Sequence, residues 1–441
     1  MSRPRTTLLV TLTGRDRPGV TSRLFSELSA HPLTVVDVEQ VVIRGHLVLG
    51  VLLACAESPD LTAIHRQVTS VAADLRMNAE ITMGSAEHVP PQRGPLHVTV
   101  LGSPLTPEVV AAIAGRITAG GANIDRIGRL AQRPVTCIQF DVSGADPRAL
   151  RAALARESVS LGADIAVQRG GLHRRAMRLV VMDVDSTLLQ DEAIDLLAGL
   201  AGCAGEVSAL TAAAMRGEID YARALRERVA LLAGLDAAVM SDLLASLRLA
   251  PGARTLVRTL KRLGYRCGVI SGGFTQVTDW LTAELGLDYA AANTLEIADG
   301  RLTGAITGAL IDRPGKERML RLFAAQAGVP LSQTVAVGDG ANDLDMIAAA
   351  GLGIAFNAKP AVRIAADTSV SVPHLDAILY LLGISGDDVE AAEEDDLLST
   401  ARAGTDRAGT DRAGSTARAG SVDSSGSVDS AGSVASAGAL T

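Results

Sequence analysis

The sequence predicts an α/β protein: a parallel sheet wrapped by helices and carrying a helical cap, preceded by two smaller α+β units of ferredoxin-like order. Three observations lead there. The order strand–helix–strand–strand–helix–strand runs twice, over residues 1–88 and again over 95–170. From 176 to 386 short, wholly apolar segments alternate with helical stretches, the texture of strands buried on both faces. Between the first two of those segments, residues 192–263 read almost entirely as helix, an insertion well placed to act as a cap.

In the first repeat, Thr6–Thr13 is a predicted strand, Gly14-Arg15-Asp16-Arg17-Pro18-Gly19 a turn and Val20–Ala30 a helix. Leu33–Ile43 and His46–Cys55 are β-branched runs joined by Arg44-Gly45, a hairpin signal. Asp60–Leu75 is a predicted helix and Asn78–Met83 the last strand. A Pro/Gly-rich linker, residues 89–95, separates this repeat from the next. There Leu96–Leu101, Asn123–Leu130, Val135–Val142 and Asp164–Gln168 are predicted strands, with helices at Pro107–Ala119 and Pro147–Leu161. The strands of the third region are Arg178–Met182, Cys267–Ile270, Thr334–Val337 and Leu352–Phe356. From 387 to 441 large apolar residues nearly vanish, in an acidic run followed by Arg-Ala-Gly-Thr-Asp and Gly-Ser-Val-Asp-Ser units. Such a segment cannot bury enough surface to offset its chain entropy, so a disordered tail is expected.

At 441 residues the chain is too long for one core, since roughly 100–200 residues make a domain. With 41 basic against 49 acidic residues and a net charge of −8, it has the wrong sign for nucleic acid and no basic block to follow a phosphate backbone. No apolar stretch approaches the ~20 residues of a membrane span, and the N-terminus has no leader pattern. Cys55, Cys137, Cys203 and Cys267 are scattered, which suggests four reduced, buried thiols in a cytoplasmic protein.

Four short strings carry chemistry, each at a strand end or a helix start. Asp183-Val184-Asp185-Ser186-Thr187 follows the first apolar strand of the third region. Two carboxylates so spaced can meet one divalent cation; the first can attack phosphorus, and the second can protonate a leaving alkoxide. In Ser271-Gly272-Gly273-Phe274, a hydroxyl and glycine amides can hold phosphate oxygens. Lys316 opens a helical run, where an ammonium can neutralise a phosphate oxygen. Gly338-Asp339-Gly340-Ala341-Asn342-Asp343 offers further oxygen ligands to a hard cation such as Mg²⁺. Taken singly, the first two would be ordinary loops and Lys316 a solvated lysine, while the last, the most specific, competes with a calcium-like acidic loop but lacks the ligand spacing of an EF-hand. Together, and in this order, they resemble the haloacid dehalogenase superfamily, whose core is a Rossmann-like parallel sheet.

The inserted helices narrow the resemblance. Glu192, Met215-Arg216-Gly217, Tyr221 and Leu225-Arg226-Glu227-Arg228-Val229 are similar to the phosphoserine phosphatases. This likeness implies hydrolysis of O-phospho-L-serine to L-serine and phosphate, the last step of serine synthesis, with Mg²⁺ as cofactor. It implies that Asp183 is the nucleophile and becomes an aspartyl phosphate, and that Asp185 is general acid and base. Metal would be held by Asp183, Asp339 and the backbone carbonyl of Asp185, with Asp343 behind them. Phosphate would lie on Ser271, Gly272, Lys316 and Asn342. Glu192 would meet the substrate ammonium and Arg228 its carboxylate, while Met215 and Phe274 would wall the pocket. Two rivals are a phosphatase of the same superfamily acting on another small phosphoester or a phosphoprotein, and a serine sensor without catalysis.

The two front repeats resemble ACT domains. In the first, Gly14 to Gly19 matches the family's strand-to-helix turn; in the second, Gly102-Ser103-Pro104-Leu105-Thr106-Pro107 lacks the Asp-Arg-Pro-Gly core, although Gly121-Ala122-Asn123-Ile124 is kept. The likeness implies a homodimer or higher oligomer joined partly through residues 6–170. It also implies an amino-acid effector, L-serine, near Gly14, Asp16 and Gly19, with Asp16 alternatively capping the helix that follows.

Overall fold

A computed structural model describes residues 6–55, 60–85, 96–171, 176–216 and 218–394. The chain divides into two compact units, 1–92 and 93–441. In the first, strands β1 (Thr6–Arg15), β2 (Leu33–Ile43), β3 (His46–Cys55) and β4 (Asn78–Ser85) form an antiparallel sheet of order β2-β3-β1-β4. Helices α1 (Val20–Leu28) and α2 (Leu61–Leu75) cover one face of it. The period-2 pattern of β1 puts Leu8, Val10 and Leu12 into that core, against Val20 and Leu24 of α1 and Ile64 and Val68 of α2. β1 runs two residues further than expected, because Arg15 still pairs with His46. Gly14 is therefore a strand residue, not part of the turn. A Cβ there would come within 2.9 Å of the Met77 side chain, so it is packing that requires glycine.

The second repeat has the same order: β5 (Leu96–Gly102), α3 (Pro107–Ala119), β6 (Asn123–Ala131), β7 (Thr136–Ser143), α4 (Pro147–Leu161) and β8 (Asp164–Arg169), with sheet order β6-β7-β5-β8. It packs against the catalytic region that follows. Leu101, Ala131, Val135, Cys137 and Ala166 belong to the core of the catalytic region. The buried Asp164 carboxylate accepts hydrogen bonds from Ser369 Oγ (2.8 Å), Ser371 N (2.6 Å) and Ser371 Oγ (2.9 Å).

That region is a seven-stranded sheet of order β12-β11-β10-β9-β13-β14-β15. Its strands are β9 (Leu179–Met182), β10 (Arg266–Phe274), β11 (Tyr289–Ala298), β12 (Arg301–Thr307), β13 (Thr334–Gly338), β14 (Leu352–Phe356) and β15 (Thr368–Val370). All neighbours are parallel except β11 and β12. The cap is α5 (Ala193–Ala201), α6 (Ala204–Met215), α7 (Tyr221–Ala230) and α8 (Val239–Ser246). The next helix, α9 (Ala253–Arg262), was expected to belong to the cap but packs on β10, so the cap ends sooner than residue 263. Its period-3.6 apolar stripe, Leu256, Val257 and Leu260, is buried in the main core. Helices α10 (Thr275–Leu285), α11 (Arg313–Ala327), α12 (Leu344–Ala349), α13 (Pro360–Ala365) and α14 (Ile378–Leu381) complete the layers. The β11–β12 hairpin was not expected; it lies where only helices were read between β10 and β13.

A last helix, α15, covers 386–394, inside the expected tail. Ser385 Oγ accepts from Asp388 N (3.1 Å), Val389 is 7% exposed in the core, and Glu393 accepts from Thr255 Oγ1 (2.8 Å). The ordered chain therefore extends past the expected boundary at 387, while 395–441 and the linker at 89–95 lie outside the described residues. Cys55, Cys137 and Cys267 are buried as expected, but Cys203 is only half-buried. Among the described residues no helix is long and apolar enough to cross a membrane.

Candidate active site

In a parallel sheet the carboxyl ends of the strands carry the reactive groups. Here the ends of β9, β10 and β13 deliver Asp183, Gly272–Gly273 and Asp339 to one cavity of about 540 Å³. Asp183 follows β9, its N–H donating to Val337 O (2.8 Å), which ties the nucleophile position to β13. The chain then turns sharply, with Ser186 in the left-handed region (φ 58°). That turn carries the Asp185 carboxylate to Ala193 N (2.9 Å), at the start of the cap, and to Ser271 Oγ (3.2 Å). Ser271 Oγ in turn accepts from Gly273 N (2.7 Å).

Lys316 is 1% exposed near the start of α11, whose N-cap Asp312 accepts from Gly315 N (2.8 Å). Its ammonium lies 2.6 Å from Asp183 Oδ1 and 2.7 Å from Asp343 Oδ1. Burial alone would depress its pKa, but the two carboxylates outweigh burial and raise it, so the lysine stays charged. Asp343 Oδ2 accepts from Gly340 N (3.0 Å), and Asp339 Oδ1 accepts from Thr187 Oγ1 (3.1 Å). Burial first, and then the Asp343 carboxylate, push the Asp183 carboxyl well above its usual range. The same causes push Asp339 up to about 6.

Ligand oxygens of Asp183, Asp339 and Asp343 lie within 4.8 Å of one another. One lysine against three clustered carboxylates leaves about two negative charges uncompensated, which is the demand of a divalent cation with hard oxygen ligands. The residues therefore fit a metal ion. The expected set is close to this one, but Asp343 spends its oxygens on Lys316 and Gly340, and the Asp185 carboxylate points to Ser271 and Ala193 instead.

The cap closes the cavity with Glu192 and Arg228, one anion and one cation, beside the apolar Ile194, Leu225 and Phe274. Burial raises the Glu192 pKa, with Asp185 adding to the shift. Arg228 Nη1 donates to Thr211 Oγ1 (3.3 Å), which holds the guanidinium across two cap helices. Of the residues expected to hold phosphate, Gly272 and Asn342 line the cavity, while Ser271 and Lys316 are buried and do not line it. For Met215 only the backbone is described.

Several cavity residues were not singled out from sequence: Thr211, Arg313 and Lys359. Tyr221, noted only as part of a likeness, also lines the cavity. Helical spacing could have found it, since Tyr221, Leu225 and Arg228 share one face of α7. Lys359 follows β14 by a short loop, and no local pattern marks it. In the front unit, Asp16 and Gly19 border a cavity of about 400 Å³ together with Val20, Thr21 and Gln40, whereas Gly14 does not line it. Gly19 (φ 91°), not Asp16, is the N-cap of α1.

Residues 180–348 match the haloacid dehalogenase-like hydrolase family, and residues 6–82 and 96–168 each match an ACT domain. A phosphoserine phosphatase of Streptomyces coelicolor is 62% identical over 88% of this chain and 94% of its own length. One from Mycobacterium tuberculosis is 50% identical over 89% of this chain and 97% of its own. A solved structure of a probable phosphoserine phosphatase from Vibrio cholerae, unliganded, superposes with a TM-score of 0.53 at 33% identity, covering 70% of this chain and 91% of that one. By sequence, fold and site together, the chain belongs to the phosphoserine phosphatases of the haloacid dehalogenase-like hydrolase family, with two ACT domains ahead of the catalytic one.

Proposed function

We propose that the protein hydrolyses O-phospho-L-serine to L-serine and phosphate through an aspartyl phosphate on Asp183. The observation that carries this reading is a cavity that joins a phosphoryl site (Asp183, Gly272, Asn342) to a carboxylate and a guanidinium on its cap side, Glu192 and Arg228. A zwitterionic amino acid bearing a phosphate needs those three features together.

Val184 N (2.8 Å) and Lys316 Nζ (2.6 Å) both reach Asp183 Oδ1, and Oδ2 attacks phosphorus. The phosphorus–oxygen bond to the serine side chain breaks, and Asp185 gives its proton to the departing alkoxide. Burial raises the Asp185 pKa, the direction that favours the protonated form an acid needs. Asp185 then takes a proton from water, which attacks phosphorus and frees both phosphate and Asp183. Ser271, the amides around Gly272, Lys316 and Asn342 hold the phosphoryl oxygens. Mg²⁺, held by Asp183, Asp339 and the Asp185 carbonyl with Asp343 behind them, would offset the charge gathered there. The test is phosphate release from phosphoserine with and without Mg²⁺, beside a panel of other phosphoesters. Release from phosphoserine that is slower than from the panel, or unchanged by chelation, overturns the reading.

The same reading extends to the front unit. L-Serine is the expected effector, bound in the cavity around Asp16 and Gly19, where amides at the start of α1 face a carboxylate. Assembly as a homodimer or higher is expected through the ACT domains.

A further inference from the structure

The structure assigns a positioning role to Asn293, a residue of β11 that does not line the substrate cavity. Along β10 and β11 the parallel register runs Ile270 to Ala291 and then Phe274 to Asn293, so four residues of one strand pass two of the other. The intervening Ser271–Gly273, three residues opposite one, leave the ladder with β11 and form the phosphate-binding turn. Asn293 is 1% exposed and fills the gap with both ends of its amide. Its Nδ2 donates to Gly272 O (2.8 Å), and its Oδ1 accepts from Ile311 N (2.8 Å). Ile311 directly precedes Asp312, the N-cap of the helix that carries Lys316. One side chain thus fastens the turn that binds phosphate to the start of the helix that neutralises it. The Gly272 carbonyl has a second donor, Tyr221 Oη at 3.3 Å, which arrives from the cap. The approach is close: a Cβ on Gly272 would lie 2.1 Å from that hydroxyl. Sheet and cap therefore share one anchor, the Gly272 carbonyl, and the cap's position and the geometry of the phosphate turn are coupled through it.

This inference rests on the phosphoryl-site reading above; wild-type turnover of phosphoserine tests that reading, whereas ratios between variants and wild type test this one. Asn293→Asp keeps the shape and the acceptor for Ile311 but loses the donor to Gly272 and sets an anion against its carbonyl. It should lower kcat/KM roughly 10-fold on phosphoserine and equally on an aryl phosphate, and raise the competitive Ki of inorganic phosphate about fivefold, with the thermal midpoint still well above the assay temperature. Tyr221→Phe should raise that Ki about threefold. The double variant should lose more than the product of the singles, because only then is the buried carbonyl left without a donor. Multiplicative losses with an unchanged phosphate Ki would overturn the shared anchor. Should Asn293→Asp fail to fold, Tyr221→Phe decides alone: a raised Ki supports the anchor, and an unchanged Ki rejects it.

Discussion

At the scale of single residues, the site is an electrostatic problem solved by crowding. Asp183, Asp339 and Asp343 cluster, with one buried lysine against Asp183 and Asp343, and each carboxylate is costly unless a cation joins them. Asp183→Asn should abolish turnover while leaving the fold intact, measured as phosphate release beside a thermal melt. Asp185→Asn should lose on the order of 10²–10⁴-fold, the usual contribution of a placed acid and base. Saturating Mg²⁺ should raise the melting temperature of the wild type through binding linkage. In Asp339→Asn that rise should vanish, while the metal-free protein becomes no less stable, because one repelling buried charge is gone; a retained rise would remove Asp339 from the metal set. Glu192→Gln and Arg228→Ala should cost on the order of 2–5 kcal/mol in kcat/KM on phosphoserine but far less on an aryl phosphate. Equal losses on both substrates would make these two residues structural.

At the scale of elements, the clearest departure from expectation is α15. Composition alone places 387–394 in a polar tail, yet Ser385 and Asp388 exchange the two bonds of a capping box, at 3.1 and 3.3 Å. Arg262 Nη1 donates to Ala392 O (2.7 Å), and Arg258 pairs with Glu393. Ending the chain after residue 385 should therefore cost about 2 kcal/mol, the burial of Val389 plus a hydrogen bond or so, relative to ending it after 394. Chemical denaturation of the two truncations measures this difference, and equal midpoints would mean that α15 contributes nothing. The missed β11–β12 hairpin has a different cause. Tyr289–Ala298 lacks clean alternation, and its place beside β10 is fixed by the bulge that Asn293 bridges.

At the scale of the whole molecule, the second ACT domain is bound to the catalytic region and the first forms a compact unit of its own. A cut between residues 92 and 93 should yield two soluble pieces, with phosphatase activity in 93–441. A cut at 171 would strip from 172–441 the cover that Leu101, Cys137 and Ala166 give its core, so 172–441 should aggregate or melt at a lower temperature. Calorimetric titration of L-serine into 1–92 should give heat. Serine inhibition of the full chain should exceed that of 93–441 by an ordinary allosteric coupling of about 1–3 kcal/mol. No heat, with equal inhibition of both longer chains, would confine serine to the active site.

The sequence by itself determined the repeated strand–helix order, the parallel apolar strands and the four strings at strand ends or a helix start, because these signals are local. Periodicity places Val180 and Val335 inside a sheet, and a carboxylate next after such a strand has few other places to go. Only the tertiary structure decided which strands are neighbours and what crosses between them. Lys316 meets Asp183 and Asp343, Thr187 meets Asp339, and Asn293 meets Gly272 across long stretches of chain. The docking of the second repeat through Asp164 and the order of α15 were decided there too. Each depends on burial supplied by distant residues, and burial is a property of the packed chain that no local pattern of residues carries.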